Sequence, residues 1–152
     1  MATYIRFATP SDIPCIVAIA AASPTAAHWS VEQYQSALLE RGRVVLLLES
    51  ASDAVRQVEG VLVARILGPE AEIENLVIAA AAQRKRLASR LLDHFLEFAR
   101  QQGAVKAFLE VRESNSGARA FYEARGFTPD TLRKSYYRDP PENALLYTLD
   151  IK

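Results

Sequence analysis

The stretch AAAAQRKRLASRLL, residues 79–92, sets three consecutive cations, Arg84, Lys85 and Arg86, where a long helix begins. Aligned peptide dipoles give a helix start roughly half a positive charge, so each cation there costs about 0.3–1 kcal/mol. Either an anion bound at that end reverses the sign, or the side chains turn into water at little cost. Three other residues are of types that do chemistry. Glu110, taken alone, is an exposed strand-end carboxylate paired with Arg112. Tyr122, taken alone, is a core aromatic whose hydroxyl finds a partner. Asn115 suits a helix cap. The single Cys15 has apolar neighbours and no histidine at a suggestive position, so it is expected to be a buried, inert thiol. His28 and His94 have no ligand spacing, and no metal is expected.

The whole chain bounds what such residues can serve. Its 152 residues are expected to form one domain, 1–152, large enough for a single core. Basic and acidic side chains balance at 18 each, so no global field recruits nucleic acid or an anionic membrane, and any anion affinity is local. One cysteine excludes an internal disulfide. The segment IPCIVAIAAASPTAA (13–27) imitates a secretory signal peptide, but Asp12, Pro14 and the single preceding Arg6 favour an amphipathic core helix. No run is long enough to span a bilayer, and the expected location is the cytoplasm.

The elements that must position these residues follow from periodicity. TYIRFAT (3–9) alternates as a strand, and Ser11 offers an N-cap to a helix with Ile13, Ile16, Val17 and Ala20 on one side. HWSVEQYQSALLER starts a second helix, with Ser30 and Gln33 at capping-box spacing. Strands are expected at 44–50, 58–67 and 71–79, then the longest helix at 83–102, ended by Gly103. A strand at 104–112, a helix capped by Ser114 or Asn115, and strands near 127–137 and 144–151 complete the chain. This order predicts an α/β fold, a mixed sheet with helices on both faces and a parallel crossover at 72–111.

Two segments, LVIAAAAQRKRLASRLLDHFLEFARQQG and FLEVRESNSGARAFYEARGF, together resemble the GCN5-related N-acetyltransferase (GNAT) family. With RKSYY (133–137) behind it, the second is particularly similar to RimI-type protein N-terminal acetyltransferases. The resemblance implies a twisted mixed sheet whose fourth and fifth strands splay apart, with acetyl-CoA in the gap. By position, the backbone of Leu76, Val77 and Ile78 would lie beside the acetyl group and pantetheine arm. Arg84, Lys85, Arg86, Leu87, Ala88 and Ser89 would wrap the pyrophosphate, and Asn115 would reach the pantetheine. Unpaired N–H groups at a helix start suit phosphate oxygens. The chain departs from the family pattern Q/R-x-x-G-x-G/A at one point, where Arg86 stands in place of the first glycine. Glycine lets phosphate approach the backbone and permits angles that a Cβ opposes.

The resemblance further implies direct acetyl transfer in a ternary complex. The N–H of Leu76 would be an oxyanion donor, Glu110 the general base and Tyr122 the general acid. Trp29, beside His28, and the pair Tyr136 and Tyr137 would border the acceptor. The alternative for each aromatic is core packing or plain surface. The acceptor implied is the N-terminal amine of a protein, in bacteria a ribosomal protein of the small subunit. Small amines, a lysine acceptor, and a non-catalytic acyl-CoA-binding module are the alternatives.

Overall fold

The computed structural model describes residues 2–83 and 86–151. Seven strands, β1 (Ala2–Phe7), β2 (Arg43–Ser52), β3 (Val55–Leu67), β4 (Glu70–Ile78), β5 (Lys106–Arg112), β6 (Thr128–Arg138) and β7 (Pro141–Asp150), form one sheet in the order β1-β2-β3-β4-β5-β7-β6. Four α-helices, α1 (Ile13–Ala21), α2 (Val31–Leu39), α3 (Leu87–Gln101) and α4 (Ser116–Ala124), cover it. Strand β2 shows why the sheet is covered on both faces. In its run VVLLL, Val44, Leu46 and Leu48 join a cluster with Leu91, Leu92 and Phe95 of α3. Val45 and Leu47 point the other way, to Ile13 and Ile16 of α1 and Tyr34 of α2. A period of two on a continuous apolar run thus makes two cores. No helix among the described residues is long and apolar enough to cross a membrane.

The expected order of elements is observed, with differences at two helix starts and at Cys15. Thr9, not Ser11, opens the first helical segment. Its N–H donates to the Asp12 carboxylate at 2.7 Å, a 3₁₀ turn spans Pro10–Asp12, and α1 continues from Ile13. α3 begins at Leu87, not at 83, because Ala80–Ala82 form a separate 3₁₀ turn and Arg86 takes a left-handed φ of 62°. Cys15 is exposed, correcting the expectation of burial. It falls out of phase with Ile13, Ile16 and Ala20, the buried face of α1. Partial burial followed by the Asp12 charge pushes its thiol up, which disfavours the nucleophilic thiolate.

Asp12 also ties α1 to the sheet. It accepts two hydrogen bonds from Arg6 at 2.8 and 2.9 Å, and Arg6 reaches Glu49 of β2 at 2.6 Å. The Arg6 bond lowers the Asp12 carboxyl from its ordinary 3.8 to about 2. A lowered folded value contributes stability above the unfolded value and loses it as pH falls towards the folded one. Asp12→Asn is therefore expected to cost about 1–2 kcal/mol in urea unfolding at pH 7. The difference from the parent should shrink between about pH 4 and pH 2.

The feature that makes room for a ligand lies at β4 and β5. They are parallel and paired at three positions only, Glu70↔Lys106, Ala71↔Ala107 and Glu72↔Phe108. Beyond these the strands part. On its other side β4 stays paired with β3 up to Ile78, with a register slip between Ile73 and Asn75 that leaves Glu74 as the extra residue of a bulge.

Candidate active site

Backbone alternation decides which groups of β4 face the fork. The Ala79 N–H donates to the Glu59 carbonyl of β3, at 2.7 Å. Strand geometry turns successive peptide groups to opposite sides, so Val77 also faces β3, whereas Leu76 and Ile78 face the fork. The Ile78 carbonyl agrees, since it accepts from the Gln83 side chain at 3.2 Å. The Leu76 N–H is thus a backbone donor aimed into the gap.

Two cavities occupy the fork. The larger, of about 650 Å³, is walled on the β4 side by Leu76, Val77 and Ile78. At its other end stand Arg86, Leu87, Ala88 and Ser89 of the α3 start, with Asn115 and Phe121 from the α4 side. Arg84 and Lys85 lie outside the described residues. Among the described residues no side chain caps the α3 start, so its first-turn N–H groups are suited to meet an anion. Arg86, the substitute for the family glycine, holds the left-handed backbone that a glycine takes without strain. A side chain in that region costs about 1–2 kcal/mol, offset in part by the chain entropy a glycine adds to the unfolded state. Arg86→Gly should therefore raise the calorimetric Tm by about 1–3 °C.

The smaller cavity, of about 490 Å³, shares Thr25, Leu76, Asn115, Ala118 and Tyr122 with the larger and adds Glu110, Arg112, His28 and Tyr137. Glu110 projects from β5 with its side chain 15% exposed. Its Oε1 accepts from Arg133 at 2.6 Å, and its buried Oε2 has no partner among the described residues. The pairing with Arg112 weighed from sequence does not occur. Arg112 donates to the carbonyls of Asp139 and Pro140 at 3.1 and 2.9 Å, and its guanidinium lies 4.2 Å from the Tyr137 ring centre. Burial, then the Glu110 charge, pushes the Tyr137 phenol up. Burial followed by the Glu74 carboxylate likewise raises Glu72, whose own charge adds to the acidity of this side of the fork.

Tyr122 stands where the two cavities meet. It is 7% exposed, with its ring edge-on to Phe121 and Phe127 at 5.1 and 5.4 Å. It is therefore a core aromatic and a cavity wall together. Burial pushes its phenol well above the ordinary range, so it remains a proton donor at neutral pH. α4 is held in place at both ends. Asn115 Oδ1 accepts from the Ala118 N–H at 3.1 Å, and the Tyr147 hydroxyl of β7 donates to Glu123 at 2.6 Å.

Of the expected acceptor residues, Tyr137 lines the smaller cavity, while Tyr136 is exposed beside it, 5.2 Å from Tyr137. Trp29 is placed elsewhere. It packs on Tyr34 at 5.4 Å, lies under the Arg43 guanidinium, and lines a separate depression. Its neighbour His28 faces the cleft instead. Two residues escaped sequence reasoning. Asn75 is buried on β4 and grips the loop before α2, donating to the Ala27 carbonyl at 3.1 Å and accepting from its N–H at 3.4 Å. A polar residue between the apolar Ile73 and Val77 was its signal. Arg133 left no such signal.

Known proteins share this arrangement. Over 91 residues the chain is 34% identical to the ribosomal protein bS18-alanine N-acetyltransferase of Escherichia coli K12, a match covering 59% of this chain. The chain thus spans 62%, about three-fifths, of the length of that relative. It is 29% identical over 140 residues to a Bacillus subtilis protein described as a putative enzyme of the same kind, covering 92% of this chain and 90% of that one. The crystal structure of the Escherichia coli ribosomal-protein-S18-alanine N-acetyltransferase superposes with a TM-score of 0.84 at 26% identity, covering 99% of this chain and 95% of the other. A sequence profile of the acetyltransferase (GNAT) family matches residues 17–127, and with the forked sheet in place the chain belongs to that family.

Proposed function

We propose that the protein is a cytoplasmic acetyl-CoA-dependent N-acetyltransferase whose single domain, residues 1–152, acetylates the N-terminal α-amine of a protein, by direct transfer in a ternary complex. The observation that carries this reading is the meeting of two cavities at Tyr122, one walled by a free helix start and unpaired β4 backbone, the other holding Glu110. The larger has a volume suited to a cofactor-sized ligand. Leu76, Val77, Ile78, Asn115 and the α3 start would hold acetyl-CoA, with Arg84 and Lys85, just before it in sequence, adding charge. When bound, it supplies the thioester to be cleaved. The Leu76 N–H, already aimed into the fork, stabilises charge developing on a carbonyl oxygen there. Glu110 accepts the proton of the incoming ammonium, directly or through water. Tyr122 donates its phenolic proton to the departing sulfur.

The acceptor proposed is a ribosomal protein of the small subunit, bS18 in the first instance, because that is the substrate named for the relatives. His28 and Tyr137 border the approach to Glu110, with Tyr136 at its rim. Competition between a panel of N-terminal peptides, small amines and lysine side chains tests the assignment. Selective consumption of peptides with a small first residue is the expected result. A flat preference for small amines would overturn it.

A further inference from the structure

The Glu110 carboxylate already holds a cation. Arg133 Nη1 donates to Oε1 at 2.6 Å, although β5 and β6 are not neighbours in the sheet, since β7 runs between them. The two side chains differ in access: Glu110 is 15% exposed and Arg133 51%. The guanidinium therefore comes down on the carboxylate from the solvent side, the side from which an acceptor amine must arrive. Arg133 is braced against the Tyr136 ring, 4.4 Å from its centre, and stands at the start of an irregular stretch of β6 whose register with β7 slips between Arg133 and Tyr137. Within that stretch Ser135 has a φ of 53°, and its N–H donates to the Asn143 side chain of β7 at 2.9 Å, so a side-chain contact holds the segment where the regular register is interrupted.

We propose that Arg133 is a placeholder for the acceptor's ammonium: it occupies Oε1 of Glu110 in the free protein and is displaced when the substrate amine enters. The inference rests on the reading of Glu110 as the base. It goes further by making acceptor binding an exchange of one cation for another, which favours amines that arrive charged over neutral amines. The charged and titratable groups around the exchange are Glu72 and Glu74 on β4, Arg112 on the same strand as Glu110, Asp139 after β6, His28, and the neutral phenol of Tyr137 on β6. Arg112 is engaged with Asp139, Pro140 and Glu142, so Arg133 is the cation that must leave.

The test is steady-state kinetics of Arg133→Gln and Arg133→Lys on the best peptide of the acceptor panel, with calorimetric titration of the same peptide. A half-exposed ion pair competes modestly, so Arg133→Gln should lower the acceptor KM and Kd roughly two- to fivefold. Its kcat should stay within about twofold, and Arg133→Lys should return KM towards the parent value. An unchanged or raised acceptor KM overturns the proposal, as does a fall in kcat at constant KM, which would make Arg133 a support for Glu110. Glu110→Gln, run in parallel, separates the two levels. Full turnover by that variant sinks the base assignment and the placeholder with it, whereas its loss beside an unmoved Arg133→Gln removes the placeholder alone.

Discussion

Glu110→Gln is expected to lower kcat by roughly 10²–10⁴-fold, the range general-base removal spans, with acetyl-CoA affinity by calorimetry unchanged. The substitution keeps the shape and one acceptor oxygen. It replaces the unpartnered Oε2, the only buried carboxylate oxygen without a partner among the described residues, by a donor. The bond from Arg133 can persist to the amide oxygen, so the fold around β5 is not at risk and a fall in rate reports chemistry. Because the larger cavity does not include Glu110, the cosubstrate titration serves as the internal control. Turnover within threefold of the parent would remove Glu110 from the mechanism.

Tyr122→Phe is expected to cost roughly 10²-fold in kcat, again with little change in cosubstrate affinity. Among the described residues no hydrogen bond satisfies the phenolic oxygen, so deleting it strands no partner. The ring contacts with Phe121 and Phe127 remain. Stability should therefore change by less than about 1 kcal/mol, which separates this variant from a truncation to alanine. The sign of the pH dependence follows from burial. A phenol pushed above its ordinary value of 10 stays protonated through the alkaline range, so any loss of kcat between about pH 8 and 10 belongs to another group and should persist in Tyr122→Phe. A parent alkaline limb that vanishes in the variant would contradict this assignment.

The order of elements was legible because their patterns differ: β2 is a short continuous apolar run, whereas the α3 face of Leu87, Leu91, Leu92, Phe95 and Ala99 repeats every 3.6 residues. The exposure of Cys15 was legible too, had its phase against Ile13 and Ile16 been weighed above the habit of burying cysteines. The α3 start was not legible, because a left-handed residue announces itself as glycine and here it is Arg86. Trp29 and His28 sit in a loop, where no period says which of two neighbours faces a cleft. The Arg133 contact lay beyond reach for a topological reason. It joins strands separated by a third, and 23 positions apart in the chain. Glu110 and Tyr122 were singled out by resemblance, and their cavity-facing positions add geometry that neither residue type supplies alone.

Three backbone rungs join a half-sheet of four strands to one of three. So thin a joint cannot by itself set the angle between the halves. That angle is left to the wedge of side chains beneath it, where Leu91 and Phe95 pack in one cluster with Ile73 from one half and Leu109 and Tyr147 from the other. Interiors packed at crystal density pass on volume changes instead of absorbing them. A methylene gained or lost under the joint, far from any reacting atom, therefore acts as a shim that opens or closes the jaws above it. Here the bulk of the core is also the calibre of the cleft.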